Sequence, residues 1–168
     1  MNSFSTPLSL TTAKAWLTSA AFVAGNIVLP QLIHFIPQGG LMFLPIYFFT
    51  LIGAYRYGVQ VGVLTAIASP LINCLCFGMP APQMVPLIAM KGTLLAVFAG
   101  YAAQRTGRAT LLTLVAVVLG YQIVGCAIES LALGSVMAGI RDFRIGFPGI
   151  LIQIFGGWWV INRLASRK

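Results

Sequence analysis

Apolar residues dominate long stretches of this chain, and the polar positions fall between them. Six apolar segments stand out, at 13–29, 39–55, 58–77, 82–104, 109–133 and 147–164. Crossing the hydrocarbon takes roughly 20 apolar residues, within a range of about 17–25, so each segment is long enough or nearly so for one span. Within them the pattern predicts helices, because a backbone in lipid must satisfy its own hydrogen bonds. Pro30 is expected to end the first helix. The second segment is short and contains Pro45, so a partial break is expected there. The tight "RYG" turn separates the second segment from the third. The expected fold is therefore an all-α membrane domain of six helices over 13–164, with an N-terminal segment at 1–12 and a basic tail at 165–168.

Small residues recur at helical spacing inside the segments. Ala20 and Ala24 form a pair on the first, Gly58, Gly62 and Ala66 a ladder on the third, and Gly92, Ala96 and Gly100 another on the fourth. Each set lies on one helix face and lets a neighbouring backbone come close. For the third and fourth segments the expectation is packing within the bundle. No internal repeat stands out.

Composition agrees with the pattern. The chain is 59% hydrophobic and only 7% charged, against about 25% charged residues in a soluble domain. Its mean hydropathy is +0.95. The net charge of +8 does not point to nucleic acid, because the basic residues stand singly at the ends of apolar runs and form no stripe. Their distribution reads as topology. Lys14, Arg56, Arg105, Arg108, Arg163, Arg167 and Lys168 fall on one side, and Arg141 and Arg144, beside Asp142, on the other. The positive-inside rule then places both termini and the even-numbered loops of a multi-pass protein in the cytoplasm. Trp158 and Trp159 suit an aromatic belt at the cytoplasmic interface. Lys14 alone precedes the first apolar run, unlike the basic region of a cleaved leader, so that run is read as a retained helix.

The chemistry-bearing residues are few. Lys91 sits inside the fourth segment, nine residues after Pro82, about 13 Å into the helix. An intramembrane lysine costs roughly 2.5–3.5 kcal/mol on insertion scales, so it should face protein or a wet cavity. Glu129 is the one acidic residue within an apolar segment and is its natural partner. Gln122, Cys126 and Glu129 share a helix face at i, i+4, i+7. Asn73 and Gln153 carry further polar groups toward the same, outer side. Two readings follow for Lys91: a structural ion pair with Glu129, or a contact to an anionic ligand in an outward-facing pocket. Arg141, Arg144 and His34, in the outer loops, are additional candidates. Asn73, Gln83, Gln122 and Gln153 offer directional hydrogen bonds, and Tyr47, Phe43 and Phe147 offer cover for an apolar or ring portion.

No enzyme motif appears: there is no HExxH, no GxSxG and no Gly-rich phosphate loop ending in GK[ST]. Cys74, Cys76, Cys126 and His34 make a poor ligand set for a metal, and the cysteines are read as packing residues. The reading is therefore of a non-enzyme without a cofactor.

Particular stretches carry a resemblance. "AAFVAGN", "LPIYFFTLIGAYRYGVQVGVLTAIASPLIN" and "MKGTLLAVFAGYAAQRTG", within a layout of six short spans and a basic cytoplasmic face, resemble the substrate-binding (S) components of energy-coupling factor transporters over 13–164. The resemblance implies that Ala20 and Ala24 match the family's Ala-x-x-x-Ala patch, which packs against a transmembrane coupling subunit. Gly58 and Gly62 match its G-x-x-x-G. It also implies a water-soluble vitamin or related micronutrient bound in the outer half under the first, third and fifth loops, with uptake driven by the coupling subunit and two ATPases. Ligand residues vary within the family and do not transfer, so the site rests on Lys91, Glu129, Asn73, Gln122, Gln153, Arg141, Arg144 and His34. These favour a ligand with a carboxylate or phosphate, of biotin, pantothenate, lipoate or pyridoxal type. The alternatives are a structural or assembly protein without a small ligand, and a self-contained small transporter.

Overall fold

The computed structural model describes residues 7–33 and 35–166, and they contain helices and turns without a strand. The helices are α1 (Ala13–Ile33), α2 (Gly39–Phe43), α3 (Phe48–Tyr57), α4 (Val59–Phe77), α5 (Val85–Thr106), α6 (Leu111–Leu133), α7 (Val136–Gly139), α8 (Arg141–Ile145), α9 (Phe147–Leu151) and α10 (Gly157–Ser166). Single 3-10 turns precede α3 and α5, and a π turn at Ile152–Gly156 joins α9 to α10. Five helical stretches are long and apolar enough to cross a membrane: Ala13–Ile33, Gly39–Tyr57, Val59–Phe77, Pro82–Thr106 and Leu111–Leu133. This suits a multi-pass membrane protein. Large apolar side chains such as Leu17, Leu75, Leu112 and Ile123 point outward, as lipid-facing surfaces require.

The first helix does not stop at Pro30. Pro30 lies inside α1, which continues to Ile33. A proline removes the N–H that would bond the carbonyl four residues back, here that of Asn26. The Asn73 side chain replaces it, with Nδ2 donating to Asn26 O at 3.1 Å. The expectation of a stop at Pro30 was wrong because the missing donor arrives from another helix.

The second stretch is broken, as Pro45 suggested. Leu44 adopts a left-handed conformation (φ 47°, ψ 45°) between α2 and the turn at Pro45–Tyr47. A helix start leaves N–H groups that need partners from outside the helix, and the preceding turn supplies one, with Phe48 N donating to Pro45 O. Asn26 Oδ1 accepts from Phe49 N at 3.2 Å, capping α3 from α1. Gly149 of α9 lies against the backbone of Phe43 and Leu44, where a side chain has no room. Residues 147–166 are helical throughout, but in three pieces with the π turn at their centre.

Packing follows the small residues. α3 is the centre, flanked by α1, α4, α5 and α10, while α5 packs on α6. Gly62 sits between Ala54 of α3 and Ala96 of α5, so close that an added Cβ would lie 2.9 Å from the Ala96 methyl. An added Cβ at Gly92 would meet Ala66 at 3.0 Å, and Gly100 lies against Val59. The two ladders therefore face each other across the α4–α5 interface, which is how helices pack closely without a hydrophobic drive in lipid. Ala20 and Ala24 do the opposite and are exposed on the outer face of α1.

One end of the bundle collects Lys14, Arg56, Arg105, Arg108 and Arg163. Residues 7–12 strap beneath the α3–α4 turn, where Leu8 N donates to Tyr57 O at 2.8 Å and Leu10 N to Gln60 Oε1 at 3.0 Å. That turn is made at Gly58, whose φ of 98° disfavours any residue with a Cβ. The Tyr55 hydroxyl donates to Arg108 O at 2.6 Å, and Asn162 Nδ2 to Ala109 O at 3.1 Å. Arg105 and Arg163 stack over the rings of Tyr101 and Trp159 at 5.1 and 5.8 Å. Arg56, read from the sequence as part of a loop, is instead buried in the last turn of α3.

Candidate functional site

Two polar groups of residues lie inside the bundle. The first joins α1, α3 and α4. Asn26 is fully buried, and its Nδ2 donates to Thr50 Oγ1 and to Ser69 Oγ, both at 3.1 Å. With Oδ1 capping Phe49, the Asn26 amide is completely satisfied. Asn73 Nδ2 donates to Asn26 O and, at 3.2 Å, to Ser69 O. Ser69 in turn donates to Thr65 O at 2.6 Å. This network ties three helices together in a medium where water offers no substitute.

The second group joins α5, α6 and the π turn. Lys91 and Glu129 form an ion pair, and both side chains are buried. The pairing follows from local structure: Gly125 stands one turn before Glu129 on α6, and the Lys91 stem crosses it. A Cβ there would meet Lys91 Cγ at 2.9 Å. Gly125 thus gives the lysine a path along α6 to its carboxylate. Further along the same face, Gln122 is fully buried, and neither its Nε2 nor its Oε1 has a hydrogen-bond partner. Gln153 is held by the π turn and accepts a hydrogen bond from the Tyr121 hydroxyl at 2.9 Å. The Tyr121 ring packs on Tyr47, with centroids 5.9 Å apart.

At the end of the bundle opposite Lys14, Arg56, Arg105, Arg108 and Arg163, a cavity of about 470 Å³ opens beneath the α1–α2 and α4–α5 connections. Its walls come from Pro30, Ile36, Leu41, Pro45, Ile46 and Ile88, with Gln31, Gln38 and Asn73 as polar side chains. The volume suits a small molecule, in the range of known ligand pockets of about 300–1,000 Å³.

The structure divides the residues singled out from the sequence. Asn73 lines the cavity. Lys91 and Glu129 are paired with each other, and they, Gln122 and Gln153 belong to the core rather than to the described cavity wall. Lys91 does stand one turn along α5 from Ile88, about 4.5 Å deeper. Arg141 and Arg144 are exposed on α8, which packs on α2, and they are not among the described residues of the cavity wall; Gln83 is exposed at the start of the α5 stretch. Tyr47 is core and Phe147 is exposed. His34 lies outside the described residues, as do Arg167 and Lys168. Reasoning from sequence missed Asn26, Gln31 and Gln38. For Asn26 a signal existed: it is an amide in an apolar run, four residues before Pro30.

No family model matches the chain, and no curated protein or solved structure matches it.

Proposed function

We propose that this chain is the membrane-embedded binding subunit of a micronutrient uptake system of the energy-coupling factor type. In this reading residues 147–166 form a sixth span and both termini are cytoplasmic. The cavity under the α1–α2 and α4–α5 connections then faces outward and takes a small water-soluble vitamin or precursor. The exposed α1 face with Ala20 and Ala24 meets a transmembrane coupling subunit, through which two ATPases supply the energy. The cavity carries this reading: it is ligand-sized, mostly apolar with a few amides, and lies at the end away from Lys14, Arg105, Arg108 and Arg163. A carboxylate or phosphate on the ligand would engage Lys91 only by competing with Glu129.

Native mass spectrometry of the detergent-solubilised protein tests it. Gly40 lines the cavity and an added Cβ there meets nothing within 4 Å, so Gly40→Leu adds bulk at the cavity wall without collision. The wild type is expected to retain a small molecule that the variant lacks. Equal retention, or none in either, removes the cavity as the binding site.

A second reading is favoured by one observation, the buried Lys91–Glu129 pair. Two charges that neutralise each other in the core suit a structural or assembly protein whose lysine has no ligand to meet.

A further inference from the structure

The Asn73 amide has only one way round. Its Nδ2 faces two carbonyl oxygens, Asn26 O at 3.1 Å and Ser69 O at 3.2 Å. Carbonyls only accept, so turning the amide over would set oxygen against oxygen twice. The fold needs this orientation for its own reason, because Pro30 leaves Asn26 O without its helical donor. What remains is Oδ1, an acceptor on a residue of the cavity wall that is 2% exposed and has no hydrogen-bond partner in the protein. A buried acceptor left unpaired is costly, and pairing it recovers that cost.

The surroundings narrow what can pair with it. No Lys, Arg, Asp or Glu lies among the described residues of the cavity wall. The nearest cation along α5, Lys91, is held by Glu129. A carboxylate or phosphate oxygen brought to Asn73 would meet another acceptor and no Lys or Arg of the described wall. A neutral group carrying a hydrogen would meet a fixed acceptor in an apolar box, the arrangement that rejects analogues lacking the hydrogen most strongly.

We propose that the cavity selects a neutral amide-, lactam- or ureide-type group whose N–H donates to Asn73 Oδ1. This rests on the cavity being the binding site, and it names the chemistry of the part of the ligand seated there. Any acidic group on the same molecule lies away from Asn73.

The test uses benzimidazolone, which carries two N–H donors on an apolar frame, its 1,3-dimethyl derivative, which carries none, and benzoate as the anionic probe. Each is titrated against the full-length solubilised protein by saturation-transfer NMR and thermal shift. Benzimidazolone is expected to bind about tenfold more tightly than the dimethyl compound, and more tightly than benzoate. Asn73→Leu should abolish that difference, and Gly40→Leu should abolish binding of all three probes. Should Asn73→Leu fail to fold, the wild-type comparison decides alone. Equal affinity for the two matched probes, preference for benzoate, or no binding by benzimidazolone each overturns the proposal. The two readings fail separately. If both matched probes bind equally and Gly40→Leu removes both, the cavity stands and the donor rule falls. If Gly40→Leu leaves binding intact, the cavity itself falls.

Discussion

Lys91 and Glu129 show what a single residue does here. Each alone would be a bare charge in a low-dielectric core, and together they cancel. Breaking a buried pair by removing one partner typically costs about 3–5 kcal/mol, because the survivor is left charged and dry, whereas replacing both with apolar groups is often neutral or stabilising. Lys91→Ala is therefore expected to destabilise the protein by an amount of that order, and the double variant Lys91→Met with Glu129→Leu to recover most of it. Thermal unfolding in detergent measures both. A Lys91→Ala protein as stable as the wild type would show that the pair contributes nothing to the fold. The double variant also separates the two roles of Lys91. If it folds but no longer retains the co-purifying molecule, the lysine contacts ligand. If it folds and retains it, the pair is structural. The pair itself was legible from sequence, because one lysine and one glutamate in apolar runs have no other partners of opposite charge to choose.

At the scale of elements, prolines are tolerated where another helix supplies what they remove. α1 passes through Pro30 because Asn73 of α4 donates to Asn26 O. This makes Pro30 and Asn73 energetically coupled although they lie on different helices. Pro30→Ala restores a backbone N–H to the same carbonyl, so Asn73 becomes partly redundant. Asn73→Leu is expected to cost about 1–3 kcal/mol in the wild type and about 1 kcal/mol less in the Pro30→Ala background, within the usual range of coupling for residues sharing one hydrogen-bond network. A double-mutant cycle read by unfolding checks this, and equal costs in both backgrounds would refute the substitution of one donor for the other. The same fact explains which boundaries the sequence pattern got right. α4, α5 and α6 match their apolar runs to within three residues, since hydropathy and length decide them. The end of α1 does not, because it depends on a donor 43 residues beyond Pro30 in the chain. The π turn at Gln153 was likewise invisible: its bond to Tyr121 joins helices that the local pattern treats separately.

For the whole molecule, the larger group of exposed basic residues and the cavity sit at opposite ends. Lys14, Arg105, Arg108 and Arg163 are exposed at one end together with the rings of Trp16, Tyr101 and Trp159, and the cavity opens at the other. The charge asymmetry was legible because topology is written in Lys and Arg counts. The cavity was not, because it is made by loop geometry, including the left-handed Leu44 and the placing of residues 36–41 on the same cavity wall as Asn73, Pro80 and Ile88. Orientation links the two. If the basic end is cytoplasmic, the cavity samples the exterior and uptake is the natural direction. Ala81 is exposed in the α4–α5 connection at the cavity end. In a background with Cys74, Cys76 and Cys126 replaced by alanine, Ala81→Cys is therefore expected to react with a membrane-impermeant maleimide on intact cells, and a fluorescent protein fused to the C-terminus to fluoresce inside them. Labelling only after permeabilisation would turn the molecule over. The basic end would then face outward against the positive-inside rule, the cavity would open to the cytoplasm, and a role in capturing an external nutrient would be ruled out whatever the cavity binds.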